Sequence, residues 1–220
     1  MLSLNHIFWP LFTLNIVAIA GALVYQYFTG MNAFEEGGFL TYVSATQLLI
    51  LFRIAYLIAR QREKAITFES GRNNHVWTII SFGFFFLAAD ELFEIHEQLD
   101  LFIHDVFDLE VTGLSDRLDD AIVAIYGLIG IVFLLKNRDE ISFCIKNRSP
   151  FIWGFVLFGI MVLLDVLTNR LDILLHLLDR NSALELVTVL FYTEDSLKLM
   201  AEVCFIEGFY LALIESRRLA

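Results

Sequence analysis

The sequence predicts an all-α integral membrane protein that forms one helical bundle. Of its 220 residues 58% are hydrophobic and only 2 are proline, and the mean hydropathy is +0.68, well above what is usual for a soluble domain. Stretches of about 20 mostly apolar residues, the length that a transmembrane helix needs, recur along the chain. We therefore expect residues 1–220 to form a single domain of about six transmembrane helices.

The first apolar stretch has no basic start and is too long for the core of a secretory signal, so we expect a retained span. Short connections that contain glycine favour antiparallel neighbouring helices. The longest connection, residues 98–119, mixes apolar and acidic residues, which predicts an interfacial helix. The predicted spans are residues 7–28, 39–59, 76–97, 120–136, 150–170 and 187–214.

Basic residues fall mainly on one side of this arrangement. Ten of the 15 Lys and Arg residues follow the second, fourth and sixth spans: Arg60, Arg62, Lys64, Arg72, Lys136, Arg138, Lys146, Arg148, Arg217 and Arg218. The opposite loops are acidic, with Glu35, Asp100 and Asp116 among their residues. By the positive-inside rule both termini are cytoplasmic and the acidic loops face outward. In a bacterium this is a multi-pass protein of the inner (cell) membrane whose acidic side is periplasmic.

Composition also bounds the partners. The formal net charge of −11 argues against nucleic acid. Cys144 and Cys204 are too few for a disulfide framework, and neither belongs to a C-x-x-C pair, so we expect free thiols. Membrane lipid is the expected partner, while a small-molecule or lipid substrate and the oligomeric state stay open. The sequence contains no H-E-x-x-H, G-x-S-x-G, glycine-rich phosphate loop or dinucleotide fingerprint.

The third span combines a hydrophobic run with an acidic end. It has no charged residue from Trp77 to Leu87 and then acquires four acids and a histidine. These are Asp90, Glu91, Glu94, His96 and Glu97. A charge inside a bilayer costs about 2.5–3.5 kcal/mol on insertion scales, so the acids need partners from other helices.

Carboxylates on three spans are expected at a similar depth. With a rise of about 1.5 Å per residue, Asp90 lies about 21 Å from residue 76, and Asp165 lies about 22 Å from residue 150. Glu194 enters from the outer end of the sixth span, and Asp120 opens the fourth span at the same face. Because charges dispersed against lipid would be costly, we expect these groups to converge inside the bundle.

Helical phase predicts which side chains face this centre. If the third span is one continuous helix, Asp90, Glu94 and Glu97 share an arc with Glu91, whereas His96 points away from the centre of that arc. Helical phase therefore predicts that the acids form one face of the helix and that His96 points away from the centre of that face.

The fifth and sixth spans carry polar stripes of their own. Asp165, Asn169 and His176 follow one line if the fifth helix continues that far. Glu194, Lys198 and Glu202 follow i, i+4 and i+8 in the sixth span, with Asp195 beside them. Lys198 can therefore neutralise one or two neighbouring acids.

The leading hypothesis is a divalent-metal site that opens to the outer face. Carboxylate oxygens bind Mg, Ca or Mn, and mixed carboxylate and imidazole sites also accept Zn or Fe. The predicted ligands are Asp90, Glu94, Glu97, Asp165 and Glu194, with His96 or His176 supplying a nitrogen. Glu91 or Glu97 would then act as general base on a metal-bound water, in hydrolytic or oxidative chemistry on a lipid or other amphipathic substrate.

Two alternatives use the same residues. In a small proton or cation transporter the acids form a relay that Lys198 and Glu202 continue inward. In a non-catalytic binding or assembly subunit they form a structural network. Residues assigned to a second shell or relay are Asp195, Lys198, Glu202, Asn169 and Asp120.

One motif resembles that of a known group. Asp90-Glu91 followed by His96-Glu97 at the end of a transmembrane helix, with Glu194-Asp195 opening the last span, resembles a group of small bacterial polytopic membrane proteins. The resemblance implies a multi-pass helical membrane protein and supplies no activity.

Overall fold

Every regular element in the described part of the chain is a helix, which confirms the all-α prediction. The structure, a computed structural model, describes residues 7–35, 37–66, 75–107, 118–168, 174–175 and 178–218, and their side chains except at 65–66, 119–121 and 166–167. The helices are α1 (Phe8–Thr29), α2 (Phe39–Ile66), α3 (Val76–Phe93), α4 (Ile95–Phe107), α5 (Leu118–Lys136), α6 (Arg138–Cys144), α7 (Ser149–Thr168) and α8 (Arg180–Arg218).

Within the described residues, three helices are long and apolar enough to cross a membrane, by length and composition alone. They are α1, the Phe39–Lys64 part of α2, and α3. The apolar parts of α5 and α7, Ile122–Lys136 and Ser149–Asp165, are shorter. Large apolar side chains on these helices are exposed, among them Ile129 at 63% and Leu163 at 65%. A surface of this kind fits a membrane protein, in which lipid covers the apolar faces.

The longest helix, α8, forms the centre of the bundle. It packs against α7, α2 and α1, and most of its buried residues lie in its C-terminal half, between Leu199 and Ser216. Ser44 of α2 donates a hydrogen bond to Glu202 at 2.7 Å, and Ser216 donates one to Gln61. The partners are 158 and 155 positions apart in sequence, so α2 and α8 run in the same direction.

An N-cap explains why α8 begins well before its apolar part. The side chain of Asp179 accepts hydrogen bonds from the Ser182 hydroxyl at 2.8 Å and from the Ser182 backbone N–H at 3.2 Å. This pattern satisfies an N–H group that a helix start leaves unpaired. The same two bonds, the hydroxyl bond first, lower the pKa of Asp179.

A buried ion pair joins the basic ends of the helices. Arg62 donates to Glu140 at 2.8 and 3.3 Å, and the indole N–H of Trp77 donates to the same carboxylate at 3.3 Å. The arginine and glutamate side chains are only 3% and 7% exposed. Arg62 was expected in a loop, but α2 continues to Ile66 and buries it, while the short helix α6 between the fourth and fifth predicted spans supplies its partner.

The prediction of one continuous helix over residues 76–97 is wrong. α3 ends at Phe93, Glu94 adopts a left-handed backbone with φ 50° and ψ 45°, and a separate helix starts at Ile95. This helix, α4, is amphipathic and ends at Phe107, so it begins before the interfacial helix predicted over residues 98–119. Residues 108–117 lie outside the described part of the chain.

Two glycines bring α7 and α8 into close contact. A Cβ built on Gly154 would lie 2.8 Å from the ring of Phe205, and one built on Gly208 would lie 2.7 Å from the ring of Phe151. Because real Cβ contacts are longer, each ring occupies the space that a side chain would need. Each helix therefore inserts a phenylalanine against a glycine of the other.

Replacement of Gly208 by alanine tests this packing. We expect Gly208→Ala to lower the free energy of unfolding by about 1–3 kcal/mol, because the added methyl group overpacks the contact with Phe151. Gly159→Ala in α7 is the matched control: no atom lies within 4 Å of its added Cβ, so alanine should stabilise by about 0.5–1 kcal/mol. Denaturant unfolding of the two purified variants in detergent measures both changes, and equal effects would contradict this packing.

Candidate functional site

Asp90, near the end of α3, contacts His96 of α4, the residue that helical phase predicts to point away from the acids. Its carboxylate accepts the His96 backbone N–H at 2.9 Å and lies 3.0 Å from Nδ1 of the His96 ring. The expectation that His96 points away from the acids is wrong, because the break at Glu94 turns α4 back over the end of α3. Asp90 thus receives an N–H from the first turn of α4, where the helix dipole favours a negative group.

Glu94 lies between α3 and α4, and Glu97 lies in the first turn of α4. A Cβ built on Gly37 would lie 3.5 Å from Oε1 of Glu94, so the Glu94 carboxylate packs against the loop between α1 and α2. Glu97 is partly exposed in the first turn of α4. A left-handed backbone at a residue other than glycine costs about 1–2 kcal/mol, and such strain is found at functional sites.

Lys198 pairs with Glu91 inside the bundle. Nζ of Lys198, in α8, donates a hydrogen bond to Oε1 of Glu91, in α3, at 2.6 Å. The lysine side chain is 29% exposed and the glutamate side chain 16%. Asp195 and Glu202 lie close enough to Lys198 for electrostatic interaction. Lys198 therefore stands among three carboxylates and forms an ion pair with one of them.

Glu202 is the deepest member of this group. It is 6% exposed, and its Oε1 accepts the Ser44 hydroxyl hydrogen bond at 2.7 Å. Its other oxygen, Oε2, is buried and accepts no hydrogen bond from the residues that the structure describes. A buried carboxylate oxygen in that state is costly unless a proton, a cation or a water molecule satisfies it.

A second acidic pair lies where α7 meets α8. The Thr168 hydroxyl is 3.4 Å from Oε2 of Glu194, and Asp165 lies close enough to Glu194 for electrostatic repulsion. Two acids from separate helices therefore share one end of the bundle. Asp195 follows Glu194 but interacts with Lys198 and Glu91 instead.

A buried amide pair was not predicted. Asn15 of α1 donates to the backbone oxygen of Leu199 at 2.8 Å and accepts from Nε2 of Gln47 in α2 at 2.7 Å. The two amides are 1% and 3% exposed. A polar amide within an apolar span can be recognised in the sequence. A search limited to charged residues misses it.

The predicted metal ligands occupy different places. Asp90 and His96 lie where α3 meets α4, and the Glu94 side chain packs against the loop between α1 and α2. Asp165 and Glu194 lie where α7 meets α8. Among the described side chains, no three His, Cys, Asp or Glu groups lie close enough to hold a metal ion. The side chains of Asp120, Asn169 and His176 lie outside the described residues, so the metal hypothesis stays a prediction.

Successive turns of α8 carry ionisable groups that contact different helices. Glu194 meets α7, Lys198 meets α3, and Glu202 meets α2. We call these three residues the α8 row. It extends about 12 Å along the helix from its first to its last member. Carboxylates and an ammonium at this spacing can bind protons or cations and pass them between neighbours.

Comparison with known proteins gives the family. No curated protein and no solved structure matches the chain. A family model described as "Domain of unknown function (DUF8692)" matches residues 3–213, which is nearly the whole chain. The chain belongs to this family, Domain of unknown function (DUF8692).

Proposed function

We propose that this protein is a small polytopic membrane transporter or channel that passes protons or small cations along the α8 row. In this arrangement α1, α2, α3, α5, α7 and α8 each cross the bilayer. The basic ends of the helices face the cytoplasm, and the acidic end opens outward, toward the periplasm in a bacterium.

Contacts at the basic end support this orientation. Gln61 meets Ser216 and Arg62 meets Glu140, so α2, α6 and α8 bring their basic termini to one end of the bundle. Glu91, Glu94 and Glu194 lie toward the other end. A bundle with cations at one end and acids at the other matches the loop asymmetry of inner-membrane proteins.

Glu202 is the observation that carries the proposal. Its Oε2 atom lies one turn of α8 below Lys198, buried and without a hydrogen-bond partner among the described residues. Lys198 also interacts with Glu91 and Asp195, so a charge that reaches Lys198 from the acidic end has Glu202 as the next acceptor. Intramembrane ionisable groups that face a bundle interior mark ion and proton paths.

Flux measurements on sealed proteoliposomes test this function. We expect the purified wild-type protein to dissipate an imposed pH gradient, read by an enclosed pH-sensitive dye, and Glu202→Gln to abolish most of that flux while keeping the Ser44 hydrogen bond. Glu63→Gln is the matched control, since that glutamate is 62% exposed in a surface ion pair. A wild type that passes neither protons nor radioactive Na⁺, or a flux that is unchanged in Glu202→Gln, would refute the proposal.

A metal centre is the second candidate, because Asp165 and Glu194 lie side by side. Two carboxylates in repulsion are stabilised when a divalent cation binds between them. Asp90 beside His96 Nδ1 is also the arrangement that orients an imidazole ligand in many metal sites. Metal analysis of the wild type against Glu194→Ala and Asp90→Ala tests this, and a wild type that binds no metal excludes it.

A further inference from the structure

We propose that a monovalent cation of the size of Na⁺ binds at the interface of α1, α2 and α8, between the carboxylate of Glu202 and the side-chain oxygen of Gln47. This deepens the proposed function, since it names the transported ion class, and it rests on that function only for the role of the ion.

The orientation of Gln47 follows from its neighbours. The backbone oxygen of Leu199 can only accept a hydrogen bond, so the amide nitrogen of Asn15 must face it. The Asn15 oxygen then faces Gln47, which must present its own nitrogen in return. Consequently Oε1 of Gln47 is turned away from this chain of bonds, and within the described part of the chain it is buried without a hydrogen-bond partner.

The residues that carry the two oxygens belong to one interface. Ser44 and Gln47 are three residues apart and share a face of α2, and Leu199 and Glu202 are three residues apart and share a face of α8. The Ser44 bond to Glu202 and the Asn15 bond to Leu199 tie these faces together. Both oxygens are hydrogen-bond acceptors, so a cation satisfies the two of them without supplying a proton.

Charge selects a monovalent ion. Lys198 and Glu91 neutralise each other in their ion pair, and Asp195 lies further toward the acidic end. Ionised Glu202 therefore contributes one negative charge, which a single positive charge balances inside the bundle. Secondary transporters likewise bind Na⁺ through protein oxygens near the bilayer midplane.

Thermal unfolding of the purified full-length protein in detergent tests the site. A ligand that binds only the folded state raises Tm, so we expect NaCl to raise Tm above choline chloride at equal ionic strength and pH. Glu202→Gln and Gln47→Met should raise the Na⁺ concentration for half-maximal stabilisation by about tenfold or more. Gln26→Met is the matched control. Its amide oxygen is also buried and accepts no hydrogen bond from the described residues, whereas its amide nitrogen donates to Tyr192, about 15 Å along α8 from Glu202. This variant should keep the Na⁺ response.

The binding experiment tests the Na⁺ site, and the flux experiment tests the proposed function, so the two can fail independently. A wild-type Tm that is equal in NaCl and choline chloride shows that Na⁺ does not bind to the folded protein, and it overturns the inference whatever flux is measured. A Na⁺ response that Glu202→Gln retains also overturns it. Radioactive Na⁺ bound by the wild type and lost in Glu202→Gln supports the inference even if Gln47→Met does not fold, and it does so even where proteoliposomes show no flux, which refutes only the proposed function.

Discussion

Arg62→Leu should lower the free energy of unfolding by about 3–5 kcal/mol, because it leaves the Glu140 carboxylate buried without its arginine partner. The indole N–H of Trp77, at 3.3 Å, supplies a hydrogen bond but no charge. The change should loosen α6 from the ends of α2 and α3. Denaturant unfolding of the purified variant in detergent measures the loss.

Two further variants separate the buried charge from general damage. Arg62→Leu/Glu140→Leu should recover most of the stability, since removal of both charges leaves an apolar contact. Arg60→Leu breaks an exposed pair with Glu63, whose side chains are 59% and 62% exposed, and should cost at most about 1 kcal/mol. A double variant as unstable as Arg62→Leu, or a single variant no worse than Arg60→Leu, would contradict this assignment.

Lys198→Met should reduce both stability and flux. It removes the cation from among Glu91, Asp195 and Glu202, and we expect a loss of about 1–3 kcal/mol because the Glu91 side chain remains largely buried without its partner. Flux through proteoliposomes should fall to the level of empty vesicles, because the row then lacks the group between Glu202 and the acidic end. Unfolding and dye assays on one preparation give both values.

Lys198→Arg distinguishes a relay from a structural counter-charge. Arginine keeps the positive charge but does not deprotonate in proteins. We therefore expect it to restore much of the stability and little of the proton flux. Wild-type flux in Lys198→Arg would show that residue 198 acts only as a fixed charge.

Much of the helical layout could be predicted because apolar length determines it. α1 and α5 lie within two residues of the predicted spans, and α2 begins at the predicted residue. The error at residues 76–97 has a local cause: a left-handed Glu94 has no sequence marker, since glycine or asparagine usually holds such a position. Every phase assignment beyond Phe93 depended on a continuous helix, which is why the direction of His96 was wrong.

The acids could be identified, but their partners could not. Depth arguments place Asp90, Asp165 and Glu194 at similar levels, but they do not pair side chains. Glu91 and Lys198 are 107 residues apart in sequence, and only the folded bundle shows that they pair. The buried amides Asn15 and Gln47 carry no charge, so no insertion cost draws attention to them. Their importance comes from the order of hydrogen-bond donors and acceptors around Leu199, which only the folded structure shows.

Infrared difference spectra of proteoliposomes at two pH values would show directly whether Glu202 exchanges a proton in the folded protein. Lys198, Glu91 and Asp195 surround Glu202, so the variants must separate its signal from theirs. We expect a pH-dependent carboxylic acid band in the wild type and in Glu63→Gln that is lost in Glu202→Gln. Identical pH-difference spectra for the wild type and Glu202→Gln would contradict a proton path through the α8 row.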